Sequence, residues 1–276
     1  MCSTALAATT KATAESTQPM RQEDKNTEKY FDINEQGFSV RCKVYAKDVH
    51  NIRRAVIFGH GFGGHKDNHV CARFAEQTTS RYKDVGVFAF DWPCHGMDAR
   101  NRLVLADCDA YLSIVLGTIR KTVGTEDICV YATSFGGYLT LKYITDHGNP
   151  FRRIALRCPA VGMHDVLLHI INPDELAKLE KGKDVLIGFD RKVKVNKAFF
   201  EEVAAADIRQ RDFLDYADFM MIWHGTGDEI VPYESVRKFA DDNVIEFIPV
   251  EGVDHRFRDP QKLDRVHQEI LKFFAF

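Results

Sequence analysis

A serine with small residues two positions to either side is the strongest chemical signal in this 276-residue chain. The segment is Ala132-Thr133-Ser134-Phe135-Gly136, which follows an apolar run and precedes a helical pattern. This spacing is typical of a nucleophile elbow, a strained strand-to-helix turn that exposes a serine hydroxyl. A lone serine can also simply occupy a turn. Its context favours Ser134 as a nucleophile.

A serine hydroxyl is a weak nucleophile at neutral pH, so Ser134 requires a histidine as base and an acid that orients it. Asp228 follows one apolar run, and His255 follows the next. Asp254 adjoins His255, but neighbouring side chains on an extended segment point apart, which favours Asp228 as the acid. We therefore interpret Ser134, Asp228 and His255 as a catalytic triad in the chain order serine, acid, histidine.

Acyl transfer also requires hydrogen-bond donors for the oxyanion of the tetrahedral intermediate. The amide of Phe135 follows the nucleophile directly, and the amide of Phe62 lies in the glycine-rich turn 60–64. Glycines let main-chain N–H groups approach a substrate closely. The sequence therefore predicts Phe62 and Phe135 as the oxyanion and substrate-binding residues.

Short apolar runs alternate with helical patterns, as expected of a mostly parallel sheet with helices on both faces. The apolar runs are 38–45, 55–58, 85–90, 128–132, 154–158, 219–223 and 244–248, and the helical patterns are 66–80, 103–123, 136–147, 233–241 and 260–274. The first run alternates and predicts an antiparallel strand. Ligands of such sheets bind beyond the carboxyl ends of the strands, where the predicted site residues lie.

The regular alternation breaks between about 159 and 212, where the spacing is far longer than a βα unit requires. This interval predicts an inserted cap with a helix beginning near Asn172 and a small hairpin within 184–195. Its apolar residues either line a substrate pocket or form the cap's own core, and the pattern does not decide between these. We interpret 1–27 as a mobile N-terminal tail and 28–276 as one domain that carries the cap.

Several motifs occur together and in a fixed order. They are His60-Gly61-Phe62-Gly63-Gly64, Asp91-Trp92-Pro93-Cys94-His95-Gly96, Ala132 to Gly136, Gly227-Asp228-Glu229-Ile230-Val231-Pro232 and Asp254-His255. With them, residues from about 30 to 276 resemble the alpha/beta-hydrolase superfamily. The chain is most similar to its serine aminopeptidase-like and cinnamoyl or feruloyl esterase-like branch. The resemblance implies an eight-stranded core, a small cap and a cofactor-free hydrolase that acts through an acyl-enzyme.

Composition excludes several other classes of protein. The chain has 37 basic and 40 acidic residues and a net charge of -3, without basic stripes, so nucleic acid is not an expected partner. It lacks the roughly 20 consecutive apolar residues that span a bilayer, so we expect no membrane attachment. Seven cysteines without close pairing indicate reduced thiols and a cytoplasmic protein.

His65 and His69 have a spacing that could offer two metal ligands, but a third ligand is not evident, and we expect neither metal nor cofactor. The function favoured is a carboxylesterase for small or medium apolar or aryl esters. The alternatives within the same chemistry are an aminopeptidase-like hydrolase, for which Glu175, Glu201 and Glu202 could supply acidic groups, and a thioester hydrolase. The alternative outside it is a non-catalytic ligand-binding protein of the same fold. The expected partner is a small-molecule ester, and self-association as a homodimer stays open.

Overall fold

An eight-stranded sheet forms the centre of the computed structural model, which describes residues 27–98, 101–188 and 191–276. Its strands are β1 (Thr27–Glu35), β2 (Phe38–Ala46), β3 (Arg54–Gly59), β4 (Val85–Phe90), β5 (Ile128–Thr133), β6 (Arg153–Arg157), β9 (Met220–Gly225) and β10 (Glu246–Val250), while β7 (Val185–Ile187) and β8 (Val193–Val195) form a separate hairpin. The spatial order is β1-β2-β4-β3-β5-β6-β9-β10. The pairs β1·β2 and β2·β4 are antiparallel and the other neighbours are parallel, which confirms the predicted mostly parallel sheet.

Helices cover both faces of this sheet. They are α1 (His69–Arg81), α2 (Leu105–Val123), α3 (Phe135–His147), α4 (Met163–Ile170), α5 (Pro173–Glu180), α6 (Lys197–Ala205), α7 (Tyr233–Asp242) and α8 (Pro260–Phe274). Alternate side chains of β3 show the two layers. Ala55 and Ile57 belong to the core cluster that includes residues of α2, α3 and α7, whereas Val56 and Phe58 belong to the cluster that includes residues of α1 and α8. Because both faces are covered, every residue of β4 and β5 is buried, and these strands read as continuous apolar runs.

The first strand, β1, was not predicted from the sequence. It pairs only with β2 at the edge of the sheet, and its charged residues, including Glu28 and Asp32, are exposed. An edge strand with this exposure carries no apolar run, so the pattern that reveals the inner strands is missing. The predicted tail lies outside the described residues apart from Thr27.

The interval between β6 and β9, where the sequence predicts a cap, contains α4, α5, α6 and the β7·β8 hairpin. The expected helix start is confirmed, because the Asn172 side chain accepts from the Glu175 amide and Pro173 occupies the first turn of α5. The predicted hairpin is also present as an antiparallel pair. None of the described helices combines the length and the apolar character needed to cross a membrane.

Candidate active site

Ser134 lies between β5 and α3, at the turn predicted for it. Its backbone has φ 51°, a left-handed conformation that is uncommon for residues other than glycine and is characteristic of a strained turn. A Cβ on Gly136 would lie 2.7 Å from the His60 carbonyl oxygen and closer still to that of Gly59, so only glycine fits there. Close packing of the turn against the end of β3 therefore explains the second small position of the motif.

The predicted acid and base are in direct contact. Asp228 follows β9, His255 follows β10, and the parallel pairing of these strands brings their carboxyl ends together. Asp228 Oδ2 is 2.8 Å from His255 Nδ1, and the side chain of Asp228 is fully buried. This contact assigns the proton of His255 to Nδ1, which leaves Nε2 free to accept a proton.

Additional donors surround the Asp228 carboxylate. Its Oδ1 atom accepts from the amides of Ile230 at 2.9 Å and Val231 at 2.8 Å. Burial alone raises the pKa of Asp228, but the hydrogen bond and charge of His255, the Val231 amide and His224 together hold that pKa below its usual value. Asp228 is therefore ionised at neutral pH.

His224 is a neighbour of Asp228 that the sequence analysis did not identify. Its Nε2 atom donates to the Val231 carbonyl oxygen at 3.0 Å and lies 3.3 Å from Asp228 Oδ2. Burial lowers the pKa of this histidine below its usual value, so the ring is neutral. The sequence feature that could have identified His224 is its spacing of four residues from Asp228 within one glycine-containing turn.

The Cys158 thiol lies beside the Asp228–His255 pair. Its sulfur atom, a carboxylate oxygen of Asp228 and a ring nitrogen of His255 all lie within 4.8 Å of one another. Burial first, and the Asp228 charge second, raise the pKa of Cys158 well above its ordinary value. The facing atoms of Asp228 and His255 are already joined, since Asp228 Oδ2 lies 2.8 Å from His255 Nδ1. The arrangement is therefore an acid–histidine pair with a buried thiol beside it.

Ser134 and His255 line the same cavity, which has a volume of about 410 Å³. Between these two described residues the structure contains no hydrogen bond. Hydrogen bonds between catalytic groups are often long in the absence of substrate and tighten in the complex. The shared cavity is the relation that the structure shows between Ser134 and His255.

The amides predicted to bind the oxyanion flank the nucleophile. Phe135 begins α3, so its N–H is one of the donors that a helix leaves without an internal acceptor. Phe62 lies in a turn closed by the Gly64 amide, which donates to the Gly61 carbonyl oxygen at 2.9 Å. Within the described ranges, neither Phe62 nor Phe135 donates its amide proton to a protein acceptor. Both donors are thus available to a ligand.

The ring of His60 holds this turn through hydrogen bonds at both of its nitrogen atoms. The Trp92 amide donates to His60 Nε2 at 3.2 Å, and His60 Nδ1 donates to the Gly61 carbonyl oxygen at 2.8 Å. Burial and the nearby His95 ring keep the pKa of His60 well below its usual value. These contacts give His60 a structural role in holding the turn.

The cavity has an apolar part and a polar part. Met163, Val166 and Ile170 of α4 form the apolar part beside Ile230. The polar part lies beside the first turn of α1 and the loop that carries His255. The sequence left open whether the apolar residues of the predicted cap line a pocket or form the cap's own core. Ile170 lines the cavity, whereas Leu168 and Leu186 are exposed and Phe189 lies outside the described residues. The remaining large apolar residues considered are buried in the core, namely Leu167, Ile187, Phe199 and Phe200.

Comparison with known proteins agrees with this architecture. Residues 50–186 match the family model described as serine aminopeptidase, S33. Est1E from Butyrivibrio proteoclasticus, solved with ferulic acid bound, superposes with a TM-score of 0.71 at 18% identity and covers 89% of this chain and 100% of its own. Alpha/beta hydrolase domain-containing protein 10 from mouse gives a TM-score of 0.68 at 14% identity, covering 90% and 98%. No curated protein sequence matches the chain.

Proposed function

Because this chain belongs to the alpha/beta-hydrolase superfamily, in its serine aminopeptidase-like branch, we propose that it is a serine carboxylesterase. Its substrates are small or medium esters with an apolar or aryl part. The observation that carries the proposal is the contact of 2.8 Å between the buried Asp228 and His255, because His255 lines the same cavity as Ser134.

In the acylation step, Ser134 Oγ bonds to the ester carbonyl carbon while its proton passes to His255 Nε2. The carbonyl oxygen becomes an oxyanion and accepts hydrogen bonds from the amides of Phe62 and Phe135. Collapse of this intermediate breaks the bond to the alcohol oxygen, which takes the proton from His255. An acyl-enzyme on Ser134 and a free alcohol result.

In the deacylation step, a water molecule gives a proton to His255 and attacks the acyl carbon through its oxygen. The bond to Ser134 Oγ then breaks, and Ser134 recovers the proton from His255. The products are the carboxylic acid and the original enzyme. Asp228 keeps its negative charge throughout and stabilises the protonated imidazole.

The aminopeptidase alternative requires acidic groups that bind a free amino end. The three glutamates considered from the sequence do not line the cavity. Glu175 caps α5, Glu201 pairs with Lys197, and Glu202 accepts a hydrogen bond from the Leu105 amide. The carboxylate among the described lining residues is Asp67. An ester substrate therefore agrees better with the charges in the site.

The direct functional test is the turnover of 4-nitrophenyl butyrate by the wild type and by Ser134→Ala. We expect kcat to fall by about 10³-fold or more, because the acyl-enzyme cannot form. Ser113→Ala is the matched control, since Ser113 contacts Tyr143 away from the cavity and should retain wild-type turnover. Unchanged turnover by Ser134→Ala contradicts the mechanism, and faster cleavage of aminoacyl anilides or thioesters than of esters by the wild type contradicts the substrate class.

We also place the protein in a reducing compartment such as the cytoplasm. The six described cysteines are all free and buried, as expected for thiols that pack as small apolar side chains.

A further inference from the structure

Two guanidinium groups, those of Arg157 and Arg191, line the polar part of the cavity. The carboxylate among its described lining residues is Asp67, whose charge is already balanced because Lys43 and Lys66 both lie 3.4 Å from its oxygens. An anionic ligand that fills this part of the cavity therefore meets two cationic side chains.

Arg157 is the central feature of this surface. It is only 6% exposed, and its guanidinium carbon lies 4.7 Å from the centre of the Phe257 ring. Among the described residues, its contacts include no carboxylate within ion-pair distance. Its NH1 atom makes one long contact of 3.5 Å to the His255 carbonyl oxygen, and its Nε atom is buried without an acceptor in the described part of the chain. A buried charge is costly unless it is paired, so a guanidinium at a cavity wall is suited to an anionic ligand.

The first turn of α1 adds to the same potential. Asn68, His69 and Val70 line the cavity at the amino end of this helix, and the first turn contains no acidic residue. Helix amino ends carry a partial positive charge that favours anions. The buried guanidinium of Arg157 and this helix end thus face the same space with the same sign of charge.

The position of His255 determines which part of a substrate enters this space. His255 protonates the departing alcohol oxygen in the proposed mechanism, so the alcohol part lies on the side of the His255 loop. Arg157 contacts this loop through the His255 carbonyl oxygen, and Arg256 follows His255 directly. The apolar part formed by α4 is then left for the acyl group.

We propose that the site prefers esters whose alcohol part carries an anionic group, a carboxylate or phosphate, bound by Arg157 with support from Arg191. This inference rests on the proposed esterase function and defines its substrate class. The anion would pair with the buried guanidinium through charge-assisted hydrogen bonds, while an uncharged acyl chain packs against Met163, Val166 and Ile170.

The kinetic test compares two acetate esters of the same shape, 3-acetoxybenzoate and its neutral carboxamide, 3-acetoxybenzamide. We expect kcat/KM of the wild type to be at least about tenfold higher for the carboxylate than for the carboxamide. The reason is that the carboxylate forms stronger, charge-assisted hydrogen bonds with Arg157 than the neutral amide does. Arg157→Gln should reduce this ratio toward one, and Arg191→Gln, at an exposed position, should reduce it in part. Because the ratio compares two substrates of one enzyme, a general loss of activity does not alter it.

The matched control is Arg153→Gln. Arg153 lies on the same strand as Arg157, packs on the Phe273 ring and donates to a carbonyl oxygen, but it does not line the cavity. Its variant should keep the wild-type ratio. A second pair, mono-4-nitrophenyl glutarate and the corresponding carboxamide, places the charge on the acyl side, where we expect no preference.

Binding of the same pair to Ser134→Ala, measured by calorimetry, separates this proposal from the proposed reaction. Tighter binding of 3-acetoxybenzoate that is lost in Ser134→Ala/Arg157→Gln supports the anion site even if the wild type hydrolyses neither ester. The phosphate analogue, 3-acetoxyphenyl phosphate, identifies which anion fits better. Equal binding of acid and amide, an unchanged ratio in Arg157→Gln, or a preference confined to the acyl-side pair would overturn the proposal.

Discussion

At the scale of single residues, the site depends on keeping one buried carboxylate ionised. Two amides, His255 and the neutral His224 ring surround Asp228, and their combined effect outweighs the cost of burial. Because its pKa lies below the usual value, the carboxylate stays charged as the pH falls below neutral, so it keeps an acceptor for the Nδ1 proton of His255.

The acid can be tested by Asp228→Asn. We expect kcat to fall by about 10⁴-fold with little change in KM, because an amide no longer selects the tautomer in which His255 Nε2 accepts the serine proton. Asp254→Asn is the matched control, since Asp254 adjoins His255 but pairs with Arg258, and it should keep wild-type kcat. Steady-state kinetics of both variants, with melting temperatures as a folding check, provide the measurement. A larger loss in Asp254→Asn would reverse the assignment of the acid.

At the scale of elements, the inner strands were predictable because burial on both faces makes each a continuous apolar run. Because β5, β6, β9 and β10 are paired in parallel, the residues that follow β5, β9 and β10 all lie at the carboxyl end of the sheet. Three positions that are distant in sequence can therefore meet there. The edge strand β1 and the short helices α4 and α6 lacked such a signal. Contacts of His224 and Arg157 depend on side-chain directions across strands, which sequence spacing does not contain.

At the scale of the whole molecule, folding buries histidines in neutral form. His267 is fully buried on α8, and neither of its ring nitrogens has a hydrogen-bond partner in the described part of the chain. Burial first, and the charge of Arg157 second, lower its pKa from 6.5 to about 3. The unfolded chain binds a proton there below about pH 6.5 whereas the native protein does not, so stability is lost as the pH falls from about 6.5 towards 3.

Replacing this group should weaken the pH dependence of stability. We expect His267→Leu to reduce the loss of unfolding free energy between pH 7.5 and pH 5 by about 2 kcal/mol, the linkage contribution of one such histidine. Phe274→Leu, on the same buried face of α8, is the control that should lower stability equally at both pH values. Denaturant unfolding at the two pH values measures both. An identical loss in the wild type and His267→Leu would show that His267 does not contribute.

Labelling with a fluorophosphonate probe, followed by peptide mass mapping, tests whether Ser134 is an activated nucleophile. Such probes form a covalent bond to a serine oxygen that a neighbouring base has activated. We predict one adduct per chain, located on Ser134, formed in step with the loss of esterase activity and absent from Ser134→Ala. Ester hydrolysis by a chain that stays unlabelled, or an adduct on another residue with Ser134 unmodified, would show that Ser134 is not the nucleophile.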